Sequence, residues 1–239
     1  MTTAWYPPWA LVSERSSKAS QIYNRSVQVT EIFKSIQGES TFAGLPCIFV
    51  RLTGCNLRCT WCDTAYAFHG GTRMTVAEVL HRVKELGGSL IEVTGGEPLL
   101  QAEVYPLIEA LLAEGFQVML ETSGERPLDK VPAQVRKIVD VKCPDSGEAD
   151  TFRLENLALM SPHDEVKFVV GSRRDYEFAR DFTHLHKLQS RFAATIFSPV
   201  HQAVDLRQMA QWMIDDRLDG VRFGHQLHKT IWGAEATGV

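Results

Sequence analysis

The sequence predicts an α/β fold: an open, partial barrel of the (βα)6 type with one extra strand on its N-terminal side. Three observations carry this expectation. From Cys47 onward, short β-branched and aromatic runs alternate with amphipathic stretches, which argues for a parallel sheet with helices outside it. About six such units follow one another, too few for a complete eight-fold barrel. The chain has 239 residues, 44% hydrophobic and 23% charged, which suits one α/β barrel-like domain, or two small ones, with a substantial core.

Taken in order, residues 1–26 read as a separate leader. Pro7 and Pro8 break any regular element there, and a loosely docked arm is expected, with Trp5, Tyr6 and Trp9 leaving room for packing on a partner subunit. The domain is expected over 27–239. It opens with the strand-like VQVTEIF from Val27, followed by the short apolar run CIFVRLT over 47–53. Residues 75–86 read as a helix with Val76, Val79, Leu80, Val83 and Leu86 on one face, and Thr75 followed by Glu78 forms a capping-box pattern. LIEVT over 90–94 is a strand. The next helix carries Val104, Leu107, Ile108, Leu111 and Leu112 on one stripe and stops near Gly115. Strands are expected at 117–122, 137–142 and 165–170. A helix with Phe178, Phe182, Leu185 and Leu188 follows, then a strand at 193–197 and a helix with Leu206, Met209, Ala210 and Met213 on one face. GVRFGHQLH closes the pattern.

A net charge of −4 and the absence of a basic tract give no sign of a nucleic-acid binder, and no apolar run approaches a membrane span. The first residues lack the basic and apolar regions of a secretory signal, so a cytoplasmic location is expected. Five cysteines, an odd number with three clustered, argue against a disulfide framework and for metal binding in a reducing compartment.

The cluster is the centre of the functional reading. In GCNLRCTWCDT, Cys55, Cys59 and Cys62 follow the strand 47–53 at spacing C-x3-C-x2-C, in the first βα loop, where such folds place their chemistry. Three thiolates on a short loop suit zinc, with His69 or Cys143 as the fourth ligand, or an iron–sulfur cluster with one iron left open to a small molecule. After the next strand comes TGGEP (94–98), where Gly95 and Gly96 let backbone approach a ligand and Glu97 can meet an ammonium group.

A C-x3-C-x2-C loop followed by a GGEP turn in a partial barrel resembles the radical S-adenosylmethionine (SAM) superfamily. The resemblance implies a radical SAM barrel. It also implies a 4Fe-4S cluster on Cys55, Cys59 and Cys62, and SAM on the open iron. SIQGES (35–40), FVRLTGCNLRCTWCDT (49–64) and QLHKTIWG (226–233), in this order, resemble more narrowly the 7-carboxy-7-deazaguanine synthase family of the queuosine pathway, over residues 27–233. That family's reaction converts 6-carboxy-5,6,7,8-tetrahydropterin to 7-carboxy-7-deazaguanine with loss of ammonia, assisted by Mg2+. No catalytic side chain is implied, because the radical comes from the cofactor.

On this resemblance, SAM contacts are carried over to Trp61, Cys62, Asp63, Gly95, Gly96, Glu97, Ser123, Lys142, Ser198, Pro199, Val200 and His201. Substrate contacts go to Ile36, Gln37, Gly38, Arg51, Thr94, Gln226 and His228, and Mg2+ to Thr64. Gln37 suits a pterin edge, since an amide both donates and accepts, and Arg51 suits a carboxylate through a bidentate pair. Other readings stay open at single positions: a surface salt bridge for Arg51, a turn or cap for Thr64, and a surface histidine for His201. Implied partners are a small-molecule pterin, a flavodoxin-type electron donor and a second copy of the chain as a homodimer. Two positions depart from the family pattern. Ser40 stands where Gln-Gly-Glu-Gly has its last glycine and needs a compatible backbone. Lys142-Cys143-Pro144 stand where other branches have Ser-Pro-Lys. The competing readings are a glycyl-radical-activating enzyme that acts on a partner protein and a non-enzymatic zinc-binding domain.

Overall fold

The computed structural model describes residues 21–239, so the expectation for Trp5, Tyr6 and Trp9 lies outside the described residues. Nine strands form one sheet in the order β3-β1-β2-β4-β5-β6-β7-β8-β9. They are β1 (Ser26–Ile36), β2 (Pro46–Leu52), β3 (Thr72–Thr75), β4 (Leu90–Gly95), β5 (Gln117–Thr122), β6 (Arg136–Asp140), β7 (Glu165–Val170), β8 (Ala194–Pro199) and β9 (Val221–Phe223). From β2 through β9 every neighbouring pair is parallel, whereas β1 runs antiparallel to both β2 and β3. The sheet is not closed: β3 and β9 are its free edges. The expected open barrel with an extra N-terminal strand is therefore the observed architecture.

The helices are α1 (Val76–Leu86), α2 (Val104–Ala113), α3 (Asn156–Leu159), α4 (Arg173–His186), α5 (Leu188–Arg191), α6 (Leu206–Asp215) and α7 (Leu227–Trp232). The capping box at α1 forms: Thr75 N donates to Glu78 Oε2 at 2.7 Å, and Glu78 N to Thr75 Oγ1 at 3.2 Å. Ser172 caps α4 and Asp205 caps α6 by accepting from the third helical amide, satisfying donors that a helix start otherwise leaves open.

Strand alternation sorts the side chains into two layers. Ile48, Val50, Ile91, Val93, Val118, Leu120, Val139, Val166 and Phe168 face outward into the main core, against Val79, Val83, Leu107, Leu111 and Tyr176 of the helices. Inward, Cys47, Phe49, Leu90, Met119 and Ile138 form a small apolar floor, on which Phe33 stacks against Phe49 with centroids 5.0 Å apart.

Four details differ from the sequence expectation. Strand β3 has four residues and no apolar alternation, and exists through its pairing with β1. No helix links β5 to β6. Residues 123–135 contain two prolines, and their loop is held by buried Asn156, whose Nδ2 donates to Gly124 O and Arg126 O while its Oδ1 accepts from Leu128 N. Leu185 is 75% exposed because the buried face of α4 is Tyr176, Ala179 and Thr183. Leu206, at the first turn of α6, is likewise exposed. No helix among the described residues is long and apolar enough to cross a membrane.

Candidate active site

Past β2 the chain turns at Gly54, whose φ of 103° lies in the left-handed region that suits glycine. Gly54 N donates to Ala67 O at 2.8 Å, Thr60 N to Ser146 O at 3.0 Å and Ala67 N to Thr64 O at 2.9 Å, so the loop 54–64 is pinned at both ends and in the middle by backbone bonds. Cys55, Cys59 and Cys62 are half-buried, carry no disulfide, and line one cavity of about 250 Å3 at the C-terminal mouth of the strands. Burial raises the thiol pKa of Cys55 and of Cys59. This donor set fits an iron–sulfur cluster: three unbonded thiols on one rim, facing a space that has room for a small molecule. Cys143 sits in the hydrophobic core and His69 does not line the cavity, so neither completes a zinc site with them. Among the described residues no three His, Cys, Asp or Glu side chains converge on a single-ion position.

The glycine pair after β4 has a packing reason. A Cβ at Gly95 would lie 2.5 Å from Leu52 O, and one at Gly96 would lie 2.5 Å from both Gly54 O and the Cys55 Cβ. Glu97 N then donates to Gly54 O at 2.8 Å, clipping this turn onto the cysteine loop. The expected role of Glu97 is corrected here. Its carboxylate does not line the cavity but is buried behind it. There it accepts from Leu99 N, Thr122 Oγ1, Ser123 N and Ser123 Oγ, which joins the ends of β4 and β5.

Beneath the mouth lies a charged ring that the sequence reading missed. Glu92 (β4), Glu121 (β5), Asp140 (β6) and Lys167 (β7) point inward from successive strands and line the cavity, joined by Glu39 from the β1–β2 loop and Lys142. Lys167 Nζ contacts Glu39 Oε2 at 2.6 Å, Glu121 Oε1, and Asp140 Oδ2 at 3.9 Å, and Lys142 Nζ contacts Asp140 Oδ2 at 2.8 Å. Burial alone would raise the pKa of Glu39, but Lys167 and the Gln226 hydrogen bond outweigh it and hold it at about 2. Among the described residues no cation is paired with the Glu92 oxygens. Burial, together with Glu121 beside it, pushes its pKa well above the usual carboxylate range, and the Gln37 side-chain amide donates to it. Desolvation would lower the pKa of Lys167, yet Glu121, Glu39 and Asp140 raise it well above normal. A sequence signal for this ring exists in hindsight: IEV, VDV and VKF each set one charge between two apolar neighbours, and LET sets one beside an apolar neighbour.

The wall opposite the thiols comes from both ends of the domain. Leu227 N donates to Gly38 O at 2.9 Å and Gln226 Nε2 to Glu39 Oε1 at 2.9 Å, so the start of α7 closes onto the β1–β2 loop across the open side of the sheet. A Cβ at Gly38 would lie 2.1 Å from His228 Nδ1, hence the glycine. Burial lowers the His228 pKa, which keeps the imidazole neutral near pH 7. Ser40 takes the left-handed backbone, φ 60°, and its Oγ accepts from Phe42 N at 3.1 Å, so a serine occupies the conformation that glycine would favour.

The predicted residues divide clearly. Ile36, Gln37, Gly38, Arg51, Trp61, Asp63, Thr64, Thr94, Gly95, Gly96, Ser123, Lys142, Val200, His201, Gln226 and His228 line the same cavity as the three cysteines. Ser198 and Pro199, like Glu97, do not: they end β8 inside the protein, with Ser198 against the backbone of Gly224. Trp61 packs on Gly171, and Thr64 Oγ1 donates to Asp63 Oδ1 at 2.9 Å. Arg51 is in an ion pair, Nε to Glu31 Oε1 at 2.7 Å, and also lines the cavity.

An open parallel sheet with three thiols after its first parallel strand defines the class, and the Radical SAM superfamily matches this chain over residues 49–200. More closely, the chain is 53% identical over 227 residues to the 7-carboxy-7-deazaguanine synthase of Koribacter versatilis, covering 89% of this chain and 100% of that one. It is 45% identical over 216 residues to the enzyme of the same name from Chlorobaculum tepidum, covering 89% and 97%. The chain belongs to the 7-carboxy-7-deazaguanine synthase family of radical SAM enzymes. In fold it is similar to the crystal structure of QueE from Escherichia coli, with a TM-score of 0.72 at 24% identity, over 89% of this chain and 100% of that one.

Proposed function

We propose that this chain converts 6-carboxy-5,6,7,8-tetrahydropterin to 7-carboxy-7-deazaguanine with release of ammonia, in 7-deazapurine and queuosine biosynthesis. The observation that carries the reading is that one cavity joins the three-thiol rim to a polar wall of Gln37, Arg51 and His228, suited to a small carboxylated heterocycle. Cys55, Cys59 and Cys62 would hold the 4Fe-4S cluster. SAM would lie over Gly95 and Gly96, near Trp61, Asp63, Ser123, Lys142, Val200 and His201. When bound, cluster and SAM together supply hydrogen-atom abstraction, and the protein supplies position and a dry site.

For the pterin, the backbone of Ile36–Gly38, the Gln37 amide, Thr94, Gln226 and neutral His228 offer mixed donors and acceptors, and Arg51 a charge-assisted clamp for the carboxylate. Thr64 presents its hydroxyl oxygen at the cavity and would hold Mg2+ there, with substrate and water as its other ligands. A flavodoxin-type donor, a homodimer and a cytoplasmic setting complete the proposal. It is tested by anaerobic titration of the tetrahydropterin into reconstituted, SAM-loaded protein without reductant, with and without Mg2+. Saturable one-to-one binding that tightens with Mg2+ and weakens in Thr64→Val is expected. Equal binding by the Cys55/Cys59/Cys62 triple alanine variant, which would hold neither cluster nor ordered SAM, would contradict it.

A further inference from the structure

Strands β1 and β2 pair antiparallel with Glu31 directly opposite Arg51, and a β-bulge between Val29 and Glu31 precedes this register. Directly opposed residues project on the same face, so the pairing aims the Glu31 carboxylate at the Arg51 side chain. A slip of one residue would send it to the other face. The contact that results is specific in its atoms. Arg51 donates through Nε, at 2.7 Å from Glu31 Oε1. The same oxygen accepts from Tyr66 O–H at 2.7 Å, and the Tyr66 ring lies 5.9 Å from the guanidinium carbon.

A guanidinium has five N–H groups in a rigid fork, and engagement through Nε leaves both terminal nitrogens for a second partner. Arg51 lines the cavity, and its terminal nitrogens bond to no other side chain or carbonyl among the described residues. Glu31, backed by Tyr66, which itself lines the cavity, thus holds the Nε side of the fork and leaves its terminal nitrogens for a ligand.

We infer that Glu31, supported by Tyr66, is a positioning residue that aims Arg51 and sets the enzyme's selectivity for a carboxylated over an uncarboxylated pterin. The inference rests on the reading that Arg51 receives the substrate carboxylate. It predicts that Glu31 acts through Arg51 alone: removing it should weaken carboxylate recognition and leave the rest of the ligand's binding unchanged.

The test is calorimetric titration under anaerobic conditions, without reductant, of 6-carboxytetrahydropterin and of tetrahydropterin lacking the carboxylate into reconstituted, SAM-loaded enzyme. Wild type should prefer the carboxylated ligand. Glu31→Gln should lose about tenfold on that ligand and nothing on the other, the scale of one charge-assisted hydrogen bond. Tyr66→Phe should lose less, in the same direction. Arg51→Met should lose the preference altogether, and adding Glu31→Gln to Arg51→Met should change nothing further. If Glu31→Gln keeps the full preference while Arg51→Met loses it, the inference fails and the reading of Arg51 stands. Equal weakening of both ligands by Glu31→Gln also overturns it, since that marks a merely structural role. If Arg51→Met keeps the preference, the reading of Arg51 itself fails, and the inference with it. Should Glu31→Gln not fold, Glu31→Asp carries the same expectations, because a carboxylate one methylene short no longer reaches Nε.

Discussion

The cavity has two unlike sides. The cysteine loop, residues 54–64, is continuous in sequence, half-exposed, and held by a few backbone bonds to Ala67, Ser146 and Glu97. The charged ring is assembled from four strands and a distant loop, with Glu92, Asp140 and Lys167 buried and Glu39 and Glu121 partly so, and is held by side chains alone, with Lys167 bonded to partners 128 and 46 residues away in sequence. The first is a local device whose chemistry comes from what it binds. The second is a global one whose charged groups are brought out of water together only when the whole sheet is assembled, where a buried charge without its partner is costly. Changes on the loop should therefore act on function and spare the fold. Changes in the ring should reach the fold first.

The largest effect belongs to the loop. Cys59→Ala should abolish turnover completely, since two thiols do not hold the cluster, while the thermal midpoint of the metal-free protein stays within about 2 °C of wild type. A large fall in that midpoint would end the division between the two sides. Lys167→Met is the opposite case. It leaves Glu39 and Glu121 buried without their cation and should cost about 3–5 kcal/mol of stability, read by urea unfolding of the metal-free protein. Restoring much of that loss by adding Glu121→Gln would confirm that uncompensated charge is the cause.

Gly96→Ala sits where the two sides meet. The added Cβ would meet Gly54 O and the Cys55 Cβ at 2.5 Å, so the cysteine loop must shift. A displacement on this scale should lower turnover about a hundredfold with little change in the unfolding midpoint. The smallest effect is a pH dependence. Folding holds the Glu39 pKa at about 2, below its ordinary value, so its contribution is present above about pH 4.5 and is lost as the pH falls toward 2. Glu92 works in the other sense. The folded chain keeps its proton above the ordinary carboxylate value while the unfolded chain releases it, so stability declines as the pH rises from about 5. In Glu92→Gln no proton is exchanged at this site in either state. The variant's thermal midpoint should accordingly fall less than that of wild type between pH 5 and pH 8. Parallel curves for the two proteins would refute this account of Glu92.

The same contrast governs what the sequence revealed. Cys55, Cys59 and Cys62 announce themselves by spacing, and β2 and β4–β8 by apolar runs, because both signals lie within a few consecutive residues. Glu97 was legible as part of a motif but not in its orientation, which depends on where the ends of β4 and β5 meet. Lys167, Glu92, Glu121 and Asp140 each look like an isolated polar residue in an apolar strand, and only the register of neighbouring strands makes them one ring. Strand β3 and the latch from Gln226 to Glu39 depend likewise on partners far along the chain. Arg51 was legible as a charge interrupting an apolar strand, whereas Glu31 was not, since its partner is set by an antiparallel register and a bulge.

On the proposed reading, the thiol rim and the polar wall of one cavity act together on a small carboxylated pterin. The most direct test is anaerobic incubation of the reconstituted protein with 6-carboxytetrahydropterin, SAM, a reductant and Mg2+, with the product identified by mass. 7-Carboxy-7-deazaguanine and ammonia are expected in equal amounts, with neither formed by the Cys59→Ala variant. Reductive cleavage of SAM with the tetrahydropterin returned unchanged would contradict it.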